Sequence, residues 1–593
     1  MMNLPIPAGS TLTKEQETYL DGFFAGVRNR GLSFTDVDSD PVTSATPEER
    51  KLTAEERIKK ALHPLDAYPL LREDAKENRG PGKDNVFRFK WNGLFWLAPV
   101  VDGYMCRLRI PGGVLTSAQW RELACIADEL ASGFAQITTR NNIQLRVIQP
   151  RDTPELLRRI QSAGLHSRGA GADNLRNITS NPTAGICPYE LIDVLPFVRD
   201  LAQVIVGSAE FYDLPRKFNV SFDGGNLVGT AEDTNDLGFR AVRVAGPPPG
   251  HPLAGRVESG VYFKVLIGGV TGHQEFARDA GILVRPEEAV DLAVAMIRVY
   301  MTSGNRESRK KARLVYLLKE WGIDKFLQET ERRLGGPLLR GSAGDESRLT
   351  QAHVLPDIPH PHLGARPQKQ AGMNYLGVRV PVGLIESEVM RAVAKIAENC
   401  GSGEVRLTIF QSLIIPHVPD GKVDDAKEAL RAAGLECEAS FIRGGLAACT
   451  GNRYCKYSSA DTKGHALALA DYLERRVSLD HPINIHVTGC PHSCAQHYIG
   501  DIGLLGCKVE RNGETVEGFH VFVGGGFRQH QRLGRQIFKG AAAGEELNRI
   551  LLALLRCYLE RRWPRERFQE FTVRHDADSL TVMVMERLRA EEP

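Results

Sequence analysis

Four cysteines in the second half of the chain are spaced as ligands are. Cys449 and Cys455 lie in ACTGNRYCKYS as a C-x5-C pair, and Cys490 and Cys494 lie in TGCPHSCAQ as a C-x3-C pair. Thiolate sulfur is a soft ligand that suits iron and zinc. Zinc ribbons place their cysteines two to four residues apart, and bacterial ferredoxins use a C-x2-C-x2-C run. The first pair fits neither pattern. Four thiols in two pairs can surround an iron–sulfur cube, hold a zinc ion, or be ordinary thiols of a reduced protein. Cys106, Cys125, Cys187, Cys400, Cys437, Cys507 and Cys557 show no such spacing. They read as small apolar core residues.

The elements that must position these groups come from an internal repeat. Residues 109–165 and 379–435 align without a gap at an offset of 270, with 14 identities in 57 positions. Identical pairs include Arg109/Arg379, Gly113/Gly383, Arg121/Arg391 and Thr138/Thr408. Each copy reads as strand, turn, amphipathic helix, strand and second helix. Leu123, Ile126, Ala127 and Leu130 recur at helical spacing, while ITTRNNIQLRVI and RLTIFQSLIIPHV have the texture of strands. FKVLIGGV (263–270) and FHVFVGGG (519–526) form a looser echo. The fold class expected is therefore α+β, internally duplicated about a pseudo-two-fold axis, with a ligand between the halves. The copies differ in charge: Arg107 aligns with Gly377, and Arg140 with Phe410.

C-x5-C followed by GCP-x-x-C resembles the signature of the sirohaem-dependent nitrite and sulfite reductases, and the resemblance runs from about residue 85 to the C-terminus. It implies ferredoxin-like half-domains, two sirohaem-binding α/β domains, a sirohaem and a [4Fe–4S] cluster. The cluster ligands would be Cys449, Cys455, Cys490 and Cys494, with Cys494 also bridging to the sirohaem iron. Sirohaem bears eight carboxylates in that family and the substrate is a small oxyanion, so paired cations are required. The matching motifs place Arg107 (MCRLRIPGG), Arg176 (NLRNITSNP), Lys217 and Asn219 (LPRKFNVSFDG) on the substrate. They place Arg140, Gln144, Arg146, Gln411, Arg309 and Arg313 on the cofactor, the last two in a basic helix GNRESRKKARLVY. Sulfite reductases resembling this chain carry K-[FY]-K and nitrite reductases K-[WF]-N; Lys217-Phe218-Asn219 follows the second. A second lysine suits dianionic sulfite, and a neutral amide suffices for nitrite.

The resemblance thus implies six-electron reduction of nitrite to ammonia by an oxidoreductase. Sulfite reduction on the same scaffold is the alternative, followed by a precorrin-type monooxygenase and a non-catalytic iron–sulfur protein. No G-x-G-x-x-G unit stands in a βαβ context. Electrons are therefore expected from outside, and the resemblance implies reduced ferredoxin or flavodoxin as the donor, docking on residues 528–539 or 306–313.

The bulk numbers bound the rest. A chain of 593 residues with net charge +2 is no strongly cationic nucleic-acid binder. No run reaches the roughly 18 apolar residues of a spanning helix, and MMNLPIPAGS lacks the features of a signal peptide. A soluble, cytoplasmic monomer is expected. The divisions expected are an N-terminal helical extension (1–85), a first half-domain (86–170), a first sirohaem domain on the anion-binding side (171–345), a linker with the second half-domain (346–440) and a second sirohaem domain with the cysteines (441–593).

Overall fold

The computed structural model describes residues 51–247, 251, 253–340 and 349–591. The compact unit Ile58–Pro593 contains every element discussed below. Of the expected N-terminal extension, residues 1–50 lie outside the described residues, and the helix Tyr68–Lys76 belongs to the compact unit.

The repeat folds as two small antiparallel sheets. The first contains β1 (Leu94–Trp96), β2 (Tyr104–Arg107), β4 (Phe134–Ile137) and β5 (Ile143–Ile148). The second contains β13 (Gly364–Pro367), β14 (Met373–Val378), β16 (Glu404–Leu407) and β17 (Leu413–Pro419). Each sheet borrows its last strand from the other copy. β3 (Val114–Thr116) pairs with β16, and β15 (Leu384–Glu386) pairs with β4, giving the orders β1-β2-β5-β4-β15 and β13-β14-β17-β16-β3. One apolar core, including Trp120, Leu123, Met390 and Val393, runs through both half-domains.

This exchange explains the identities between the copies. Arg121 bonds Glu398 at 2.5 Å, and its counterpart Arg391 bonds Asp128, the position aligned with Glu398. Ser117 and Ser387 add hydrogen bonds to the same two carboxylates. At the crossing point Gly113 and Gly383 both have positive φ, at 77° and 69°. A Cβ on either would meet a carbonyl of the opposite copy, Leu407 O at 2.9 Å or Ile137 O at 2.5 Å. Only glycine fits both demands.

The duplication continues into two larger α/β layers. In the first, β6 (Thr179–Ser180), β7 (Val220–Asp223) and β8 (Leu237–Val244) are parallel, and β9 (Gly260–Ile267) and β10 (Arg278–Val284) continue antiparallel. Two short strands, β11 (Leu339–Arg340) and β12 (Thr350–Gln351), add to this sheet. In the second, β18 (Leu446–Ala448), β19 (Ile485–Thr488) and β20 (Ile502–Arg511) are parallel, and β21 (Glu514–Val523) and β22 (Arg535–Ala542) antiparallel. The same order and sense recur, and the echoing segments fall in β9 and β21.

Two local expectations change. ITTRNNIQLRVI is a hairpin, β4-turn-β5, because Thr138 to Asn142 close on themselves with Thr138 N–H donating to Asn142 O at 2.9 Å. The basic segment 304–313 is not a helix: only Arg309–Lys311 makes a 3-10 turn, and the helix Leu314–Trp321 starts where apolar residues begin to face the core.

The two larger layers meet at a buried ionic knot. Arg528, in the turn after β21, pairs with Asp223 at 3.1 Å, and its backbone N–H donates to Asp233 Oδ2 at 2.9 Å. Arg240 pairs with Glu232 at 2.5 Å. Three buried carboxylates thus share two guanidinium groups. Burial, with Glu232 beside it, pushes the Asp233 carboxyl up to about 7. Its unfolded value is about 3.9, so the folded chain holds this proton longer, and stability is lost as pH rises from about 4 to about 7. D233N is expected to melt above the wild type at pH 8, with the gap narrowing at pH 5. A Tm difference that ignores pH would contradict that assignment.

Candidate active site

Strand alternation sorts the first half-domain sheet into an apolar and a polar face. Cys106 and Leu145 point into the core. Arg107 stands opposite Gln144 in register, with Gln144 opposite Gln136 on the other side. Arg146 completes this polar ladder, donating to Gln144, to Gln136 Oε1 at 2.8 Å and to Thr450 Oγ1 at 2.7 Å. In the second copy the positions of Gln144 and Arg146 are Ile414 and Pro416.

The same alternation builds the neighbouring wall. Residues 217–219 run beside 174–176, with Arg176 N–H donating to Phe218 O at 2.8 Å and Phe218 N–H to Asn174 O at 3.1 Å. Phe218 and Leu175 are fully buried in the core of the first α/β layer. Lys217 and Asn219 therefore turn to the face opposite Phe218. The Asn219 backbone N–H is anchored on Asp236 Oδ2 at 2.8 Å.

The cysteines sit at the carboxyl ends of parallel strands, the usual ligand position in such sheets. Cys449 follows β18 and Cys490 follows β19, and Gly489 N–H donates to Cys449 Sγ at 3.2 Å. The Cys494 loop is held from both sides. Thr139 Oγ1 donates to Cys494 O at 2.9 Å, and Gln496 Nε2 to Thr234 Oγ1 at 2.9 Å.

The four thiols are close enough to influence one another. Burial, reinforced by Cys494, Cys455 and Cys449, pushes the Cys490 thiol up to about 12. Cys494 is the only exposed cysteine of the eleven, yet burial raises its thiol too, with Cys449 adding to the effect and Lys217 and Arg107 opposing it. An exposed sulfur in a desolvated setting faces an internal recess, and the same recess holds the cations. Burial lowers Arg107; it lowers Arg176 far more, with Arg107 and Arg216 adding repulsion. Burial, Arg313 and Arg176 push Lys217 down to about 7. Lys217 makes no hydrogen bond or ion pair with the described residues, and Arg176 Nη1 and Arg140 Nε are buried without partners. Uncompensated buried cations call for a polyanion.

Arg140 lines this recess while donating to Asn235 Oδ1 at 2.9 Å and Asn177 O at 3.0 Å. Three expected cofactor contacts have other partners. Arg313 is bidentate on Asp236 at 2.7 and 3.1 Å, and Arg309 pairs with Asp173. Gln411 donates to Ala448 O at 2.9 Å and accepts from Ala448 N–H at 2.8 Å. It mirrors Asn141, which donates to Ser180 O and Leu407 O at 3.0 Å each, so it pins the crossing of the two copies. Arg216, Gln136 and Thr139 belong to the site and were missed. Arg216 adjoins Lys217 in sequence, which is the signal that could have revealed it.

The second copy keeps a small pocket lined by His362, Phe410, Arg379 and Arg443. His362 stacks on Phe410 at 4.4 Å, and any side chain on Gly377 would strike the His362 carbonyl. Its two arginines pair with Glu436 and Glu474.

Comparison with known proteins gives this geometry a family. The model of the nitrite and sulphite reductase 4Fe-4S domain matches residues 171–338 and 443–591, and that of the nitrite/sulfite reductase ferredoxin-like half domain matches 99–163 and 366–433. The chain belongs to the nitrite and sulfite reductase family. It is 34% identical over 530 residues to the ferredoxin–nitrite reductase of Synechococcus elongatus, covering 87% of this chain and 98% of that one. It is likewise 34% identical to sulfite reductase [ferredoxin] 2 of Mycolicibacterium paratuberculosis, covering 80% and 83%. The solved structure of Mycobacterium tuberculosis NirA superposes with a TM-score of 0.80 at 31% identity, covering 89% of this chain and 97% of that one.

The cofactors of this oxidoreductase family are a sirohaem and a [4Fe–4S] cluster, and the residues fit both. Orphaned guanidinium donors and an unpaired lysine face the recess, as eight carboxylates require. A single zinc would bring its sulfurs within about 4 Å of one another. Among the described residues no three His, Cys, Asp or Glu side chains converge on one ion, whereas the four thiols lie within electrostatic reach of one another and offer the soft donor set of a four-iron cube. Among the described residues no helix is long and apolar enough to cross a membrane.

Proposed function

We propose that the chain reduces nitrite to ammonia, released as ammonium with two waters, taking six electrons singly from reduced ferredoxin and eight protons from the medium. Asn219 carries this reading. It stands in the recess beside Lys217 at the position where a sulfite-reducing relative would present a second lysine. Overall identity does not separate the two substrates, because relatives named for each lie at the same distance.

Cys449, Cys455, Cys490 and Cys494 would hold the cluster, with Cys494 shared with the sirohaem iron. Arg107, Arg140, Gln144, Arg146 and Arg176 would face the sirohaem carboxylates or the substrate. When bound, the sirohaem supplies the iron at which nitrite is reduced, and the cluster supplies electrons. Arg107, Arg176 and Lys217 bind the oxyanion by charge-assisted hydrogen bonds in a desolvated recess. Asn219 Nδ2 donates without adding charge. Lys217 Nζ also holds the proton that an N–O cleavage needs, with the arginines as fixed donors. The five divisions of the chain given above follow from the same reading.

Ferredoxin is proposed to dock over the Cys455 loop. Arg453 is 70% exposed and Tyr457 58%, with Lys456 exposed between the two. An acidic partner there would sit over Cys455. In the segments suggested by sequence, Arg528 is drawn into the acidic knot and Arg306, Arg309 and Arg313 bond Asp213, Asp173 and Asp236, as Arg453 bonds Asp461 here. Lys310, Lys311, Arg532 and Lys539 stay exposed there, so the position over Cys455 decides the choice.

Steady-state rates with reduced ferredoxin test the assignment: kcat/KM should favour nitrite, and a ratio favouring sulfite by about tenfold, roughly 1.4 kcal/mol, would overturn it. Lys217 adds a pH signature. Its proton is present below its pKa and lost above it. Cofactor and substrate anions draw that pKa from about 7 toward the ordinary lysine value of 10.5. kcat/KM for nitrite is expected to fall as pH rises through this window, and K217R should erase the basic limb. A limb that persists in K217R assigns the proton to another group.

A further inference from the structure

One buried cation beside the cysteines is not used by the reading above. Lys463 is the second residue of the helix Thr462–Glu474, whose first residue donates through Thr462 Oγ1 to Cys449 O at 2.8 Å. The Lys463 ammonium reaches under the cysteine loop. It donates to Val382 O and, at 3.4 Å, to Ala448 O, the carbonyl immediately before Cys449. Burial pushes this ammonium down to about 7, an effect that Cys449 and Asp461 oppose and Arg146 reinforces. Asp461 is already held by Arg453 at 2.7 Å, and Lys463 forms no ion pair with the described residues.

The duplication shows that the fold does not require this charge. In the first copy the matching helix Leu195–Gly207 begins with Leu195 and Pro196, and the Leu195 side chain packs against Gly112, the counterpart of Val382. An apolar contact closes that junction. Only the copy carrying the four cysteines replaces it with a desolvated ammonium, at the place where an anionic cluster would sit.

We propose that Lys463 sets the reduction potential of the cluster, raising it by placing a buried ammonium beside Cys449. A cation in a low-dielectric setting stabilises the more negative, reduced state. The inference rests on the reading of the four cysteines as cluster ligands. Lys463 is a tuning residue: the backbone carbonyls hold it, and substrate does not reach it.

Anaerobic redox titration of the holoenzyme, followed by visible absorption and by the EPR signal of the reduced cluster, is the test. K463M removes the charge and the donor; K463Q removes the charge but keeps N–H donors for Val382 O and Ala448 O. Both are expected to shift the cluster potential downward. Either variant with full iron content and the wild-type potential overturns the proposal. Loss of the cluster from both variants overturns it as well, by making Lys463 structural. Wild-type protein lacking iron and labile sulfide would instead refute the ligand assignment.

Discussion

Cys494→Ser is expected to reduce ferredoxin-dependent nitrite reduction by more than about 100-fold, since even outer-shell partners of a metal site cost 10- to 100-fold. Three features make this residue the most sensitive of the four. It alone of the four is an exposed residue. Arg107 and Lys217, two of the proposed substrate residues, lie within electrostatic reach of it. Its backbone is clamped by Thr139, so the loop should keep its course when the sulfur becomes oxygen. A hydroxyl is a poor ligand for iron–sulfur chemistry and cannot supply the shared sulfur. The assay must pair ferredoxin-dependent turnover with the visible spectrum and iron content. A variant that keeps activity within tenfold, with both cofactors bound, would remove Cys494 from the bridging role.

What the sequence revealed and what it hid follow from how local each interaction is. Cysteines at fixed short spacings are rare, so the proposed ligands Cys449, Cys455, Cys490 and Cys494 stood out within two loops. The proposed pair Lys217 and Asn219 was legible for the same reason, as neighbours flanking a core phenylalanine just before β7. The strand exchange was not legible. β3 and β15 are three residues long, and each pairs with a strand far along the chain, whose edge no local pattern marks. The partners of Arg309 and Arg313 were hidden likewise. Asp173 and Asp236 are isolated acids in unrelated segments, and only tertiary packing brings them under the arginines. Gln411 misled because alignment conserves position and not employment: its counterpart Asn141 also serves the crossing. Lys463 carried no signal, since a lysine early in a helix usually faces water.

Asn219→Lys is expected to move preference toward sulfite by about 10- to 100-fold in the ratio of kcat/KM values, the worth of one charge-assisted hydrogen bond of about 1.5–3 kcal/mol. The recess already holds Arg107, Arg176, Arg216 and Lys217 in mutual repulsion, which is why burial and neighbouring cations depress Lys217. A further ammonium adds to that strain with no substrate bound. A dianion offsets it better than a monoanion does. Discrimination should therefore appear in both parameters, with KM for sulfite falling and kcat/KM for nitrite declining. The backbone tolerates the change, because residue 219 is fixed through its own N–H to Asp236 and through its C=O to Leu237 N–H at 3.1 Å, contacts no side chain alters. Asn219→Leu separates charge from shape: lacking both donor and charge, it should weaken nitrite without favouring sulfite. If N219K left the ratio unchanged while binding both cofactors, substrate choice would have to reside in the arginines, and the asparagine would be a spacer on the wall.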